Sequence, residues 1–216
     1  MSRSIRRSPL ALAIRALLYE EPMHPYRMQQ LIQERAKDEV INVRLRASLY
    51  QTISRLLRDG LIAVQETARS ENRPERTIYR LTEAGRETAF AWLCSMLATP
   101  AREFPEFPAA VSFMALLSPA EAQAQLEIRA NALETELGEI ATRLESAAAL
   151  PRVVLLEEEY RRALRQAELV WVHGVIADLR SGTLSWSMRQ LQEFAARYAA
   201  GPAADGGKHD VTPTDE

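Results

Sequence analysis

The stretch "ASLYQTISRLLRDGLI", residues 47–62, constrains this chain more than any other. Leu49, Ile53, Leu56 and Leu57 recur at i, i+4, i+7 and i+8, so one face of a helix can be buried. The opposite face carries Tyr50, Gln51, Ser54, Arg55 and Arg58, and neither lysine nor glutamate. An ordinary solvated helix face mixes both charge signs. This one offers a phenol, an amide, a hydroxyl and two guanidiniums, a set suited to gripping a polyanion. Gly60 is a natural residue to end the helix, and the β-rich run "LIAVQET" begins at once.

The flanking sequence supplies the rest of a small domain. Ser8 as N-cap and Pro9 at the first helical position predict a helix to about Tyr19, with Leu10, Ile14, Leu17 and Leu18 inward. A second helix is expected near His24 and Pro25, burying Tyr26, Leu31 and Ile32. The β-rich runs "LIAVQET" and "TIYRLT" are separated by "ARSENRPER", a polar turn that reads as too long for a tight hairpin. Thr82 and Glu83 open a fourth helix with Phe90, Leu93 and Leu97 expected inward. Three helices, a two-stranded ribbon and a further helix make a winged helix-turn-helix, with residues 47–59 as its recognition helix. The major groove admits such a helix, whose first turns reach base edges. Arg46, Ser48, Tyr50, Gln51 and Ser54 are therefore expected at bases or nearby phosphates, and Arg55 and Arg58 at phosphates. Arg69, Arg73 and Arg76 are expected at the ribbon's tip, where a wing touches the backbone or minor groove.

Charge placement agrees. Residues 1–82 carry 15 Arg/Lys against 9 Asp/Glu, a balance of +6, and residues 83–216 a balance of −8. Only the first half suits a polyanion.

Three quoted segments carry a resemblance. "LALAIRALLYEEPMHPYRMQQLI", "SLYQTISRLLRDGLI" and "NRPERTIYRLTEAG" resemble, in order and spacing, the N-terminal domain of PadR-type transcriptional regulators over residues 8–97. Pro25 stands where the family pattern H-G-Y has glycine, and "RLRA" precedes Ser48 where an S-P-G-like cap is common. The resemblance implies a DNA-binding regulator with Tyr26, Ser48, Tyr50 and Arg73 as contacts. It also implies a ligand-responsive repressor, without a cofactor, that binds a pseudo-palindromic double-stranded operator. Some such regulators bind flat aromatic or cationic compounds beside a tryptophan, and others respond to phenolic acids. Trp92, Trp171 and His173 are the candidate effector residues on that footing; packing aromatics explain them equally well.

The second half reads as helical. After a proline-punctuated joint at residues 100–117, Ser118, Pro119, Ala120 and Glu121 spell a capping box. Ala130, Leu133, Leu137, Ile140 and Leu144 follow at spacings of a short coiled-coil seam. Pro151 restarts a second long helix that ends at Ser181 and Gly182, and a short helix with Leu191, Phe194 and Tyr198 on one side comes after it. Two such helices form an antiparallel hairpin short of apolar cover, which a homodimer would supply; an intramolecular bundle is the alternative. The expected plan is mainly α: a winged helix at 1–99, the joint, a helical dimerisation domain at 118–200 and a disordered tail at 201–216.

Rival chemistries find little. His24, His173 and His209 have no metal-ligand spacing, and no glycine-rich phosphate loop or G-x-S-x-G occurs. Glu157, Glu158 and Glu159 read as a solvated helix face rather than a paired acid site. Neither an enzyme nor a metal site is expected. A winged-helix interaction scaffold without specific DNA binding is the alternative of another class. Cys94, the single cysteine, reads as a small core side chain. No run long enough to span a membrane exists, and the expected location is cytoplasmic.

Overall fold

The computed structural model describes residues 7–41, 46–70 and 73–199, the side chains of 39, 46, 67–70, 73–76, 198 and 199 excepted. Helix α1 (Pro9–Glu20) starts where proline and serine place it, the Ser8 hydroxyl accepting from the Ala11 N–H. It buries Leu10, Ala11, Ile14, Leu17 and Leu18. Helix α2 (Pro25–Glu34) is capped by His24, whose Nδ1 accepts from the Tyr26 N–H at 3.1 Å. Met28, Leu31 and Ile32 turn inward, whereas Tyr26, expected inside, is 55% exposed. Two residues before Met28 on a helix is about 200° away from it.

Helix α3 (Arg46–Arg58) buries Leu49, Ile53 and Leu56, with Leu57 partly covered. It closes with two bonds, from the Gly60 N–H to the Leu57 carbonyl and from the Leu61 N–H to the Leu56 carbonyl. Gly60 sits at φ 68°, the left-handed conformation that this closure requires.

Strands β1 (Ile62–Ser70) and β2 (Arg73–Leu81) pair antiparallel from Ile62↔Leu81 to Ser70↔Arg73, with irregularities between Val64 and Glu66 and between Ala68 and Ser70. The long polar turn expected here is corrected: pairing runs through most of "ARSENRPER". Ladder bonds are made by the backbone, so polar side chains on a solvated ribbon do not end it. A two-bond bridge between Met23 and Tyr79, at 3.0 and 3.1 Å, fastens the ribbon to the α1–α2 turn.

Helix α4 (Glu83–Ala98) is capped by Thr82, whose hydroxyl accepts from the Gly85 N–H and donates to the Gly60 carbonyl at 2.8 Å. A Cβ on Gly85 would lie 1.9 Å from the Leu61 carbonyl oxygen, so α4 can rest on the start of the wing only with glycine there. Trp92 is the large buried residue of α4, and Phe90, Leu93 and Leu97 are exposed, against expectation. The helix is apolar nearly all round from Ala89 onward, so periodicity selects no face. Cys94, expected in the core, is exposed on the same helix.

The chain divides into two compact units, Met1–Glu103 and Phe104–Glu216. The joint expected at 100–117 straddles that division and contains helix α5 (Glu106–Ser112). In the second unit, helix α6 (Pro119–Ser146) opens with the capping box: the Ser118 hydroxyl accepts from the Glu121 N–H, and the Glu121 carboxylate accepts from the Ser118 N–H at 2.9 Å. Helix α7 (Leu156–Ser181) begins beyond a short turn at Arg152–Val154 and ends at Gly182, φ 75°. Leu126, Ala130 and Leu133, with Leu137 beside them, pack on Leu169, Val172, Ile176 and Leu179. Ion pairs flank this seam: Arg129 with Glu168, Glu136 with Arg161 (3.1 Å) and Arg165 (2.8 Å), and Glu127 with Arg180 (2.7 Å). Glu158, expected on a solvated face, is buried between Arg143 and Arg161. Helix α8 (Met188–Ala199) follows, and the Trp186 indole N–H donates to the Leu117 carbonyl at 2.8 Å. The tail expected from 201 lies outside the described residues.

Candidate nucleic-acid interface

Burial of Leu49, Ile53 and Leu56 fixes the rotation of α3, and the rest of its surface follows from that. Tyr50, Gln51, Ser54 and Arg58 are exposed. Ser48 and Arg55 are half-buried at the margins. The Ser48 carbonyl accepts from the Thr52 hydroxyl at 2.7 Å, which leaves the Ser48 hydroxyl outside that bond. Tyr50, Gln51, Ser54 and Arg58 thus share the side of α3 turned away from its buried residues. The side chains of Arg46, Arg69, Arg73 and Arg76 lie outside the described ones.

Two further tyrosines belong to the same unit. Tyr26 is exposed at the first turn of α2. Tyr79 on β2 comes close to Tyr50: its phenol is pushed up chiefly by burial, with the Tyr50 charge adding and a hydrogen bond to Thr77 opposing. Sequence reading treated Tyr79 as a strand residue only. Its place beside Tyr50 follows from strand register, which no local pattern reports.

Behind the face lies an unusual interior. Arg15 on α1 is fully buried, stacked 4.0 Å from the centre of the Trp92 ring. Its Nε donates to the Ala11 carbonyl at 3.0 Å, while Nη1 and Nη2 have no acceptor among the described residues. The buried Nε of Arg55 has none either. Burial, with the nearby Arg55 charge adding, pushes the Arg15 guanidinium down to about 10. Arginine in an apolar stripe position at 15 gave no sequence signal of this role.

The candidate effector residues are distributed over both units. Trp92 belongs to the core of the first, 8% exposed and covered on one face by Arg15. Trp171, half-exposed in the second, meets the Phe107 ring edge-on at 5.9 Å. His173 lies 3.5 Å from Glu134 and lines a cleft of about 460 Å³ with Glu127, Ala130, Asn131, Ile176, Ala177 and Arg180. Trp171 is not among the lining residues. Among the described residues no group of three or more His, Cys, Asp or Glu could hold a metal ion, and no helix is long and apolar enough to cross a membrane.

A buried helical core, an arginine-bearing exposed helix and a two-stranded wing define the winged-helix class of DNA-binding domain. Residues 14–90 match the transcriptional regulator PadR-like family, so the match lies within the winged-helix unit. No curated protein gives a significant match. Solved structures share the architecture well beyond that domain. Bacillus subtilis PadR in complex with operator DNA is 19% identical, at a TM-score of 0.63, over 79% of this chain and 98% of that one. The same protein in complex with p-coumaric acid is 17% identical, at 0.62, over 81% and 99%. The Vibrio cholerae virulence activator AphA is 18% identical, at 0.61, over 80% and 98%. At these identities the likeness establishes the fold: a winged helix followed by long C-terminal helices.

Proposed function

We propose that this chain is a homodimeric, ligand-responsive repressor of the PadR type. Two copies hold two α3 helices against the half-sites of a pseudo-palindromic operator. The observation that carries the DNA part is the face of α3, where Tyr50, Gln51, Ser54 and Arg58 stand exposed with no acidic residue among them. Gln51 and Arg46 read bases, Arg55 and Arg58 hold phosphates, and Tyr26 and Ser48 fix the helix on the backbone. Arg73 and Arg76 extend the contact along the wing.

Dimerisation is supported by apolar side chains that the chain leaves open. Phe90, Leu93, Met96 and Leu97 in the first unit, and Phe113, Leu116, Leu164 and Val170 in the second, are exposed. A soluble monomer rarely displays so many. Ligand response is supported by the p-coumaric acid complex of the Bacillus subtilis protein. An aromatic or phenolic effector would meet Trp171 or His173 more readily than Trp92, whose ring is already covered. AphA, an activator of the same architecture, favours a second reading in which the sign of regulation depends on where the operator lies.

The test is selection of a binding site from a random duplex library, then the variants on the selected site. Gln51→Ala should relax preference at one base position by about 1–3 kcal/mol, and Arg55→Ala should lower the salt slope by roughly one across all sequences. If Arg46→Ala, Gln51→Ala and Arg55→Ala combined leave affinity untouched, α3 is not the reading helix. A library that yields no preferred site favours the scaffold alternative.

A further inference from the structure

We propose that Arg15 and Arg55 form a site for a small oxyanion, at the junction of α1, α3 and α4 behind the reading face. It shares Arg55 with the proposed DNA face, and because its test uses no DNA, either reading can fail without the other. Three buried N–H donors have no acceptor among the described residues: Nη1 and Nη2 of Arg15, which is fully buried, and Nε of Arg55, whose charge acts on Arg15. Arg15 is already committed on two sides, through Nε to the Ala11 carbonyl and through its face to Trp92, and its other two nitrogens have no acceptor among the described residues.

Neither arginine has a carboxylate partner among the described ion pairs, although most exposed arginines among the described residues do. Burying one unpaired cation is unfavourable, and burying part of a second beside it more so. Water would satisfy the three N–H groups but leave the two like charges unbalanced. An anion answers both. The planar fork of a guanidinium matches a pair of oxygens on one central atom, so the ligand class is phosphate-like or a small carboxylate, and its size is limited by the enclosure of Arg15.

The test is thermal unfolding of the full chain in inorganic phosphate, acetate and chloride at one ionic strength. Phosphate or acetate should raise Tm by a few degrees in a saturating manner over chloride. The anion giving the larger rise identifies the source as an inorganic oxyanion or a carboxylate. Arg15→Met should abolish the rise. Arg55→Gln, at a half-exposed position, should reduce it at least several-fold and decides the matter if Arg15→Met does not fold. Arg86→Gln, an exposed arginine on α4, should leave the rise intact. Equal Tm in all three salts overturns the site. So does a rise that survives in Arg55→Gln, or one lost in Arg86→Gln, which would mark general attraction to a basic surface.

Discussion

At the scale of single residues, Gly85 and Arg15 show how little freedom this first unit has. Gly85→Ala would drive a Cβ into the Leu61 carbonyl, backbone against backbone, which no rotamer relieves. The variant should lose about 2–3 kcal/mol in chemical unfolding, within the range seen for overpacked sites. Arg15→Met should raise stability in chloride buffer by about 1 kcal/mol, because it removes a buried charge without a counter-charge while keeping volume beside Trp92. Glu20 shows the opposite electrostatics. Hydrogen bonds from Arg35, at 2.6 and 2.7 Å, hold its carboxyl below the usual range. A value lower in the folded chain than in the unfolded one means stabilisation that is present above the ordinary carboxylate pKa and lost as pH falls through the depressed value. Glu20→Gln should therefore flatten the acid limb of a stability–pH curve and leave the neutral region little changed, a small effect because both side chains are nearly half exposed.

At the scale of elements, local chemistry was legible and facing was less so. Ser8, Thr82, Ser118 and Gly182 marked helix ends because caps and left-handed closures depend on one or two residues. Ser118→Ala should cost about 1 kcal/mol, measurable as a drop in Tm. Wing length was missed because backbone pairing is indifferent to the polar side chains of "ARSENRPER". The inward face of α4 was missed because an all-round apolar helix has no preferred side until its neighbours choose Trp92. Glu158 was misjudged for a related reason: its burial depends on Arg143, which arrives from α6. The seam of α6 was readable from spacing alone, and Ile140→Ala, at a fully buried position, should destabilise by about 2–5 kcal/mol.

At the scale of the whole molecule, the two units carry opposite charge: residues 1–103 have 17 Arg/Lys against 12 Asp/Glu, and residues 104–216 have 10 against 17. The excess of basic residues ends at 82, where the wing ends, and the acidic excess lies in α4 and the helical second unit. That distribution supports the proposed placement of DNA on α3 and the wing rather than on the α6–α7 hairpin. The exposed face of α3 was legible in sequence because its residues share one helix; the Arg15–Trp92–Arg55 cluster was not, because its members come from three.

The central claim is that α3 reads DNA. Fluorescence anisotropy of the full chain on a selected duplex and on its scrambled counterpart, across a salt series, tests it most directly. The account predicts tighter binding to the selected duplex, with log affinity falling linearly in log salt concentration. Equal affinity for both duplexes, or no binding to either at low salt, would contradict it.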